Sequence, residues 1–259
     1  MQKIKKIALR IAFKAGEILL QNYGKVLEIT HKGAHAINLV TDIDKKSEAF
    51  IVKGLLKRFP DHQILAEEGS LSKSTSPYKW LIDPLDGTTN YAHGFPFFCV
   101  SIALQIREET AFGIVYAPML RELFIAEKGK GVTLNGKKIR VSTEQDLSKS
   151  LLATGFPYDV REAKRNNLNY FSSFLKKARA IRRAGSAAID LCYVACGRFD
   201  GFWELRLAPW DLAAGVLVVE EAGGKVTNFS GKTLNIYNDD TVASNGKIHT
   251  QLLNIIQAV

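Results

Sequence analysis

The stretch Trp80-Leu81-Ile82-Asp83-Pro84-Leu85-Asp86-Gly87-Thr88-Thr89-Asn90 sets the tightest constraint on how this chain can fold. Trp80, Leu81 and Ile82 are strand formers and read as the end of a buried strand. Pro84 has no N–H and a fixed φ, so the strand is expected to stop there, with Asp83 at its exit from the core. Asp86-Gly87 is a turn signal, and Thr88-Thr89-Asn90 can open a helix. Two carboxylates so close on a rigid turn can face one spot. They can share it only with a cation, and hard oxygen donors favour Mg²⁺ or Mn²⁺. The N–H groups after Gly87 would face the same spot, where a helix N-terminus attracts an anion. A divalent metal beside a phosphate-sized pocket points to phosphate-ester chemistry. Alone, such a stretch reads more readily as a plain turn and a cap, because such turns are common.

The chain has 259 residues, 46% hydrophobic and 24% charged, enough for a large core in one α/β domain or two intimate halves. We expect a single catalytic domain over 1–259, with an N-terminal half (1–145) carrying most of the acidic candidates and a C-terminal half (146–259). Three cysteines cannot make a disulfide framework, which points to a reducing cytoplasm. Cys192 and Cys196 read as packed thiols on a helix. Lys3, Lys5, Lys6, Arg10 and Lys14 break up the apolar start, so residues 1–23 do not read as a signal peptide, and nothing reaches the length of a membrane span. The net charge of +9 is spread along the chain rather than blocked. Attraction for small phosphorylated substrates is the favoured meaning; nucleic-acid binding is possible but not favoured.

Along the chain, apolar residues at helical spacing predict a helix over 3–22, stopped by Gly24. Residues 31–38 read as a loop. A second helix is expected from Thr41 to Phe59, capped by Thr41 or Asp42, with Phe50, Ile51 and Leu55 facing inward. Gln63–Ala66 reads as a short strand and 70–77 as a mobile surface loop. Paired strands are expected at 97–107 and 111–118, then a strand at Glu122–Glu127 and a hairpin over 131–141 with a type I′ turn at Asn135-Gly136. The second half reads as a strand (149–154), a loop, a helix (160–177), a strand (179–183), a helix (187–196), a strand (199–205), a helix (210–222), strands at 225–229 and 241–244, and a last helix (247–258). Alternating strands and helices imply stacked sheet and helix layers.

Further acids sit at element ends: Asp44 in a first helical turn, Glu67 after a short strand, and Asp211 just after Pro209-Trp210. Each also suits a capping role. Asp83-Pro-Leu-Asp86-Gly-Thr-Thr-Asn90 and Trp210-Asp211-Leu-Ala-Ala-Gly215, with Leu39–Asp44 and Ala66-Glu67-Glu68 before them, resemble the signatures of the inositol monophosphatase family, in order and over nearly the whole chain. That wider group includes fructose-1,6-bisphosphatases and nucleotide 3′-phosphatases. The resemblance implies a layered αβαβα sandwich of mixed α/β (α+β) class and a cytoplasmic homodimer acting on a small phosphorylated polyol or sugar. It implies two to three Mg²⁺ ions per site: Glu67, Asp83 and the Leu85 carbonyl for the first, Asp83, Asp86 and Asp211 for the second, and a weaker third leaning on Glu67 through water. Such a pair of ions, ~4 Å apart, activates a water and stabilises the leaving oxygen. Thr88, backed by Asp44, would orient and deprotonate that water, while the N–H groups of Gly87 and Thr88 hold phosphate oxygens.

By the same resemblance, backbone groups of Gly185, Ser186 and Ala187 and the carboxylate of Glu204 would meet the polyol, Lys32 would lie in a loop closing over the metals, and Li⁺ would inhibit. Departures from the pattern are Ala66 before the paired glutamates, Ala208-Pro209 before the tryptophan, and positive charge at Arg182, Arg183 and Arg206. Arg182 or Arg183 could serve a second phosphate or be surface charge. The expected activity is hydrolysis of inositol monophosphate. The alternatives are fructose 1,6-bisphosphate, histidinol phosphate or 3′-phosphoadenosine 5′-phosphate as substrate, or a basic scaffold that binds RNA or protein.

Overall fold

The computed structural model describes residues 1–25, 29–31, 39–69, 71–72 and 74–259. Helix α1 (Gln2–Asn22) buries Ala8, Ile11, Ala12, Ala15 and Leu19, the stripe its helical period draws. Strands β1 (Ile29–His31) and β2 (Leu39–Thr41) pair antiparallel and lead into α2 (Asp42–Leu56). A capping box starts α2: Thr41 Oγ1 accepts from the Ile43 and Asp44 N–H groups, and Asp44 Oδ2 accepts from the Thr41 N–H at 2.9 Å. Ile43, Ser47, Ile51 and Leu55 form its buried face, while Phe50, expected inside, lies off that stripe and is 38% exposed.

Strands β3 (Gln63–Ala66) and β4 (Tyr78–Asp86) are parallel neighbours. After the short α3 (Thr88–Ala92) come β5 (Cys99–Ile106), β6 (Glu109–Ala117), β7 (Glu122–Glu127), β8 (Gly131–Leu134) and β9 (Lys137–Lys138), each antiparallel to the one before, giving a seven-stranded sheet in chain order. Asn135 and Gly136 have φ of 50° and 79°, as a type I′ turn requires. The expectation that β4 stops at Pro84 is not met. The strand runs on to Asp86, with a register shift between Asp83 and Asp86 opposite β5. Pro84 sits in that irregularity, where no ladder N–H is needed, and its carbonyl accepts from Ser47 Oγ at 3.1 Å.

The second sheet holds β10 (Leu151–Thr154), β11 (Ala180–Arg182), β12 (Gly201–Glu204), β13 (Lys225–Asn228) and β14 (Thr241–Ser244), in the order β11-β10-β12-β14-β13. Strand β10 is parallel to β11 and β12, and β14 is antiparallel to β12 and β13. The remaining helices are α4 (Leu168–Leu175), α5 (Ala187–Ala195), α6 (Pro209–Glu221) and α7 (His249–Ile256). The expected helix over 160–177 shrinks to α4. Residues 160–166 are mostly polar and offer no apolar stripe, and the backbone turns left-handed at Asn167 (φ 74°). The buried Asn167 side chain accepts from Trp203 Nε1 at 2.7 Å and donates to Thr154 Oγ1 at 2.9 Å, a network that holds this turn.

Alternation along β4 sorts the layers. Trp80 and Ile82 pack with Leu19 of α1 and Ile51 of α2. Leu81 faces the opposite core, built on α5 and α6 through Leu191 and Leu212. The second sheet shares that core through Ala153, Phe202 and Ala243, and its far face packs Trp203 and Val242 against Phe174 of α4 and Leu252 of α7. The layers therefore run helix, sheet, helix, sheet, helix, the αβαβα sandwich expected. Among the described residues no helix is long and apolar enough to cross a membrane.

Candidate active site

Strands β3 and β4 are parallel neighbours, as are β10 and β12, and the segments at their carboxyl ends face one another across the α5–α6 layer. A crevice outside such ends is where α/β folds bind ligands. Here it is a cleft with about 850 Å³ of empty space, including its open mouth. Glu67 follows β3, Asp83, Leu85 and Asp86 come from the end of β4, Glu204 ends β12, and Asp211 opens α6; all line this cleft. The sequence candidates Gly87, Thr88, Gly185, Ser186 and Ala187 line it too.

Asp83 is 2% exposed, and its Oδ1 accepts from the Leu85 N–H at 2.9 Å. Burial, then the charges of Glu67, Asp86 and Asp211, push its carboxyl well above the usual range. Asp211 is pushed up by burial and by Glu67 and Asp86, against the Ala208 N–H that its Oδ2 accepts at 2.8 Å. Burial raises Asp86 to about 6, although its Oδ2 accepts from Ser186 Oγ at 2.7 Å and from the Ala188 N–H at 2.8 Å. Among the described residues no Lys or Arg forms an ion pair with Asp83, Asp86 or Asp211.

Asp83, Asp86 and Asp211 offer only oxygen, lie in a shared negative field with Glu67, and meet no basic counter-ion among the described residues. That donor chemistry fits a hard divalent cation such as Mg²⁺. As the side chains stand, no three His, Cys, Asp or Glu residues among those described close around a point that could hold an ion. The fit therefore rests on donor type and shared field.

Asp44, outside the cleft lining, is fully buried behind it. Its Oδ1 lies 2.9 Å from Thr88 Oγ1, which is also 3.1 Å from the Leu85 carbonyl oxygen. Burial raises the Asp44 carboxyl, against its hydrogen bonds from Thr41 and Thr88. Gly87 precedes α3 with φ 97°, and a Cβ there would lie 2.9 Å from the Phe97 carbonyl oxygen, so the turn demands glycine.

On the opposite wall, Asn90 Nδ2 donates to the carbonyls of Phe97 (2.7 Å) and Ala184 (2.8 Å), tying α3 to the turn at Gly185. The Ser186 hydroxyl is engaged by Asp86 and caps α5, which leaves backbone groups of this turn to meet a ligand. Glu204 is 9% exposed and packs over Gly155, where a Cβ would overlap its carboxylate. Burial lifts Glu204 to about 8, opposed by Arg183. Arg183 lines the cleft, whereas Arg182 is exposed and bonds the Ile181 carbonyl. Arg206 also lines the cleft but is paired with Asp159 through two hydrogen bonds of 2.7 and 2.6 Å. Lys32 lies outside the described residues.

Two cleft residues escape sequence reading. Tyr158 comes from a loop with no pattern. Asp190 carries a signal in hindsight, as a lone acid in the apolar run of α5.

A family model described as the inositol monophosphatase family matches residues 1–259. An inositol-1-monophosphatase from Synechocystis is 46% identical over 98% of this chain and 88% of its own length. A protein named Nus factor SuhB from Pseudomonas aeruginosa is 42% identical over 99% of this chain and 97% of its own. The solved structure of an inositol monophosphatase from Anabaena superposes with a TM-score of 0.91 at 44% identity, covering 100% of this chain and 96% of that one.

Proposed function

The chain belongs to the inositol monophosphatase family, and from that premise we propose that this phosphatase is a Mg²⁺-dependent phosphomonoesterase that hydrolyses myo-inositol monophosphate to inositol and phosphate, working as a cytoplasmic homodimer. The observation that carries the reading is the Thr88–Asp44 contact of 2.9 Å beside a cleft lined by Asp83, Asp86 and Asp211, which form no ion pair with a basic side chain among the described residues. Glu67, Asp83 and the Leu85 carbonyl would hold one ion, and Asp83, Asp86 and Asp211 a second. Bound ions supply charge stabilisation for the leaving oxygen and lower the pKa of a bound water. Thr88 Oγ1 hands its proton toward Asp44 Oδ1, which leaves a lone pair to receive one from the attacking water. Burial makes Asp44 a better base than an exposed carboxylate. Glu67, partly exposed at the cleft, would order further water. The N–H groups of Gly87 and Thr88 orient the phosphate, and the Gly185–Ala187 backbone with Glu204 holds the ring hydroxyls. No covalent phosphoenzyme is invoked, because Cys99 is buried and the Ser186 hydroxyl is engaged by Asp86.

The test is phosphate release with Mg²⁺ from inositol monophosphate, fructose 1,6-bisphosphate, histidinol phosphate and 3′-phosphoadenosine 5′-phosphate. The highest kcat/KM is expected for inositol monophosphate. A higher value for another ester would overturn the substrate while leaving the phosphatase. The relative named as a Nus factor favours a second reading, RNA or protein binding alongside catalysis. Salt-sensitive RNA binding that survives Asp83→Asn would support it.

A further inference from the structure

Helix α2 carries a buried acid that the chemistry above does not use. Asp44, Ser47 and Glu48 stand at helical spacing on one face of it, and all three are buried, Glu48 being 3% exposed. Each holds a different piece of the cleft. Asp44 Oδ1 accepts from Thr88 Oγ1 at the start of α3. Ser47 Oγ donates to the Pro84 carbonyl, inside the irregularity of β4 between Asp83 and Asp86. Glu48 Oε2 accepts from the Glu68 N–H at 2.6 Å, across 20 positions of sequence, in the turn that follows β3. A carboxylate receiving a backbone N–H makes one of the stronger hydrogen bonds. Helix α2 begins at Asp42, so Glu48 lies beyond the first turn, where neither capping nor the helix dipole rewards an acid.

The bond to Glu68 bears on its neighbour. The Glu67 N–H donates to the Ile82 carbonyl of β4 at 3.2 Å, and the next N–H along the chain, that of Glu68, donates to Glu48. The peptide units on both sides of Glu67 are therefore tied, one to β4 and the other to α2. With only two soft dihedrals per residue, this fixes the direction in which the Glu67 side chain leaves the backbone for the cleft it lines. We propose that Glu48 is a positioning residue for Glu67: by holding the Glu68 N–H it aims the Glu67 carboxylate at a divalent cation in the cleft. This rests on the metal-dependent reading above and deepens it. Glu48 does not line the cleft and acts only through Glu67. One rigid face of α2 then sets both the Thr88 hydroxyl, through Asp44, and a metal ligand, through Glu48.

The test is isothermal titration calorimetry with Mg²⁺ alone, without substrate, on the wild type, Glu48→Asp and Glu48→Gln, beside thermal midpoints taken in EDTA. Glu48→Asp keeps the charge but draws the carboxylate back by one methylene, away from the Glu68 N–H. Glu48→Gln keeps the reach and drops the charge. Mg²⁺ affinity is expected to fall about tenfold or more in Glu48→Asp and to stay within about threefold of the wild type in Glu48→Gln, whose amide oxygen still accepts the N–H. Ile51→Val, which loosens the packing of the same helix at a residue buried against β4, is expected to lower the thermal midpoint and leave Mg²⁺ affinity unchanged. A glutamine variant weakened as much as the aspartate variant, or more, would mean that Glu48 acts through its charge and would overturn the proposal. An Ile51→Val variant that weakens Mg²⁺ as much as Glu48→Asp would reduce Glu48 to general support of α2 and overturn it as well. A wild type that binds Mg²⁺ and an aspartate variant that binds it equally well overturn Glu48 alone, whatever the midpoints do. A wild type that binds no Mg²⁺ overturns the metal reading of the cleft and the proposal with it.

Discussion

Thr88 Oγ1 sits 2.9 Å from Asp44 Oδ1 across 44 positions of sequence, joining the first turn of α3 to the first turn of α2. The same Asp44 closes the capping box of α2, so one buried carboxylate holds both the start of a helix and a hydroxyl that lines the cleft. Thr88→Val removes the hydroxyl at nearly constant shape. It is expected to lower kcat by about 10²–10⁴-fold with Mg²⁺ affinity little changed, while Thr88→Ser keeps most of the rate. Steady-state kinetics with a Mg²⁺ titration decides; a valine variant at wild-type kcat would remove Thr88 from the chemistry.

Asp44→Asn should show both roles at once. The capping interaction weakens by about 1 kcal/mol, read as a lower thermal midpoint, and kcat falls alongside it. A variant that loses stability but keeps kcat would leave Asp44 with a structural part only.

Gly87→Ala forces a Cβ into a left-handed turn and against the Phe97 carbonyl. The expected cost is about 1–3 kcal/mol of stability, with a fall in kcat because the neighbouring N–H groups shift. Chemical denaturation alongside kinetics measures both.

Glu204 gives the metal-free protein a pH signature. Its acid stands at about 8 in the folded chain against an ordinary 4.5, so the folded state holds that proton more tightly than the unfolded one. Its contribution to stability is therefore greatest below pH 4.5 and is lost as pH rises to about 8. Glu204→Gln cannot titrate, so its thermal midpoint should fall less than that of the wild type over this window. Parallel curves would place Glu204 in a more solvated setting than the cleft wall.

Strands such as β3, β7 and β14 were legible because short apolar or alternating runs sit between turn residues, with no competing helical period. The passage of β4 through Pro84 was not, because the irregularity opposite β5 depends on a partner strand that local sequence does not name. Residues 160–167 misled for a related reason: the buried bonds of Asn167 to Trp203 and Thr154, not helix propensity, set that turn. In the site, Asp83, Asp86, Glu67 and Asp211 were legible as acids at strand and helix ends within recognisable signatures. Asp190 was not, because only the docking of α5 beside β12 turns a lone acid in an apolar helix into part of the cleft wall.

If the cleft cleaves inositol monophosphate with divalent metal held by its carboxylates, turnover must depend on that metal. Phosphate release from myo-inositol 1-phosphate, measured first in EDTA and then with excess Mg²⁺, tests it most directly. No turnover is expected in chelator and full recovery with Mg²⁺, with recovery abolished in Asp83→Asn. Undiminished turnover in EDTA would contradict it.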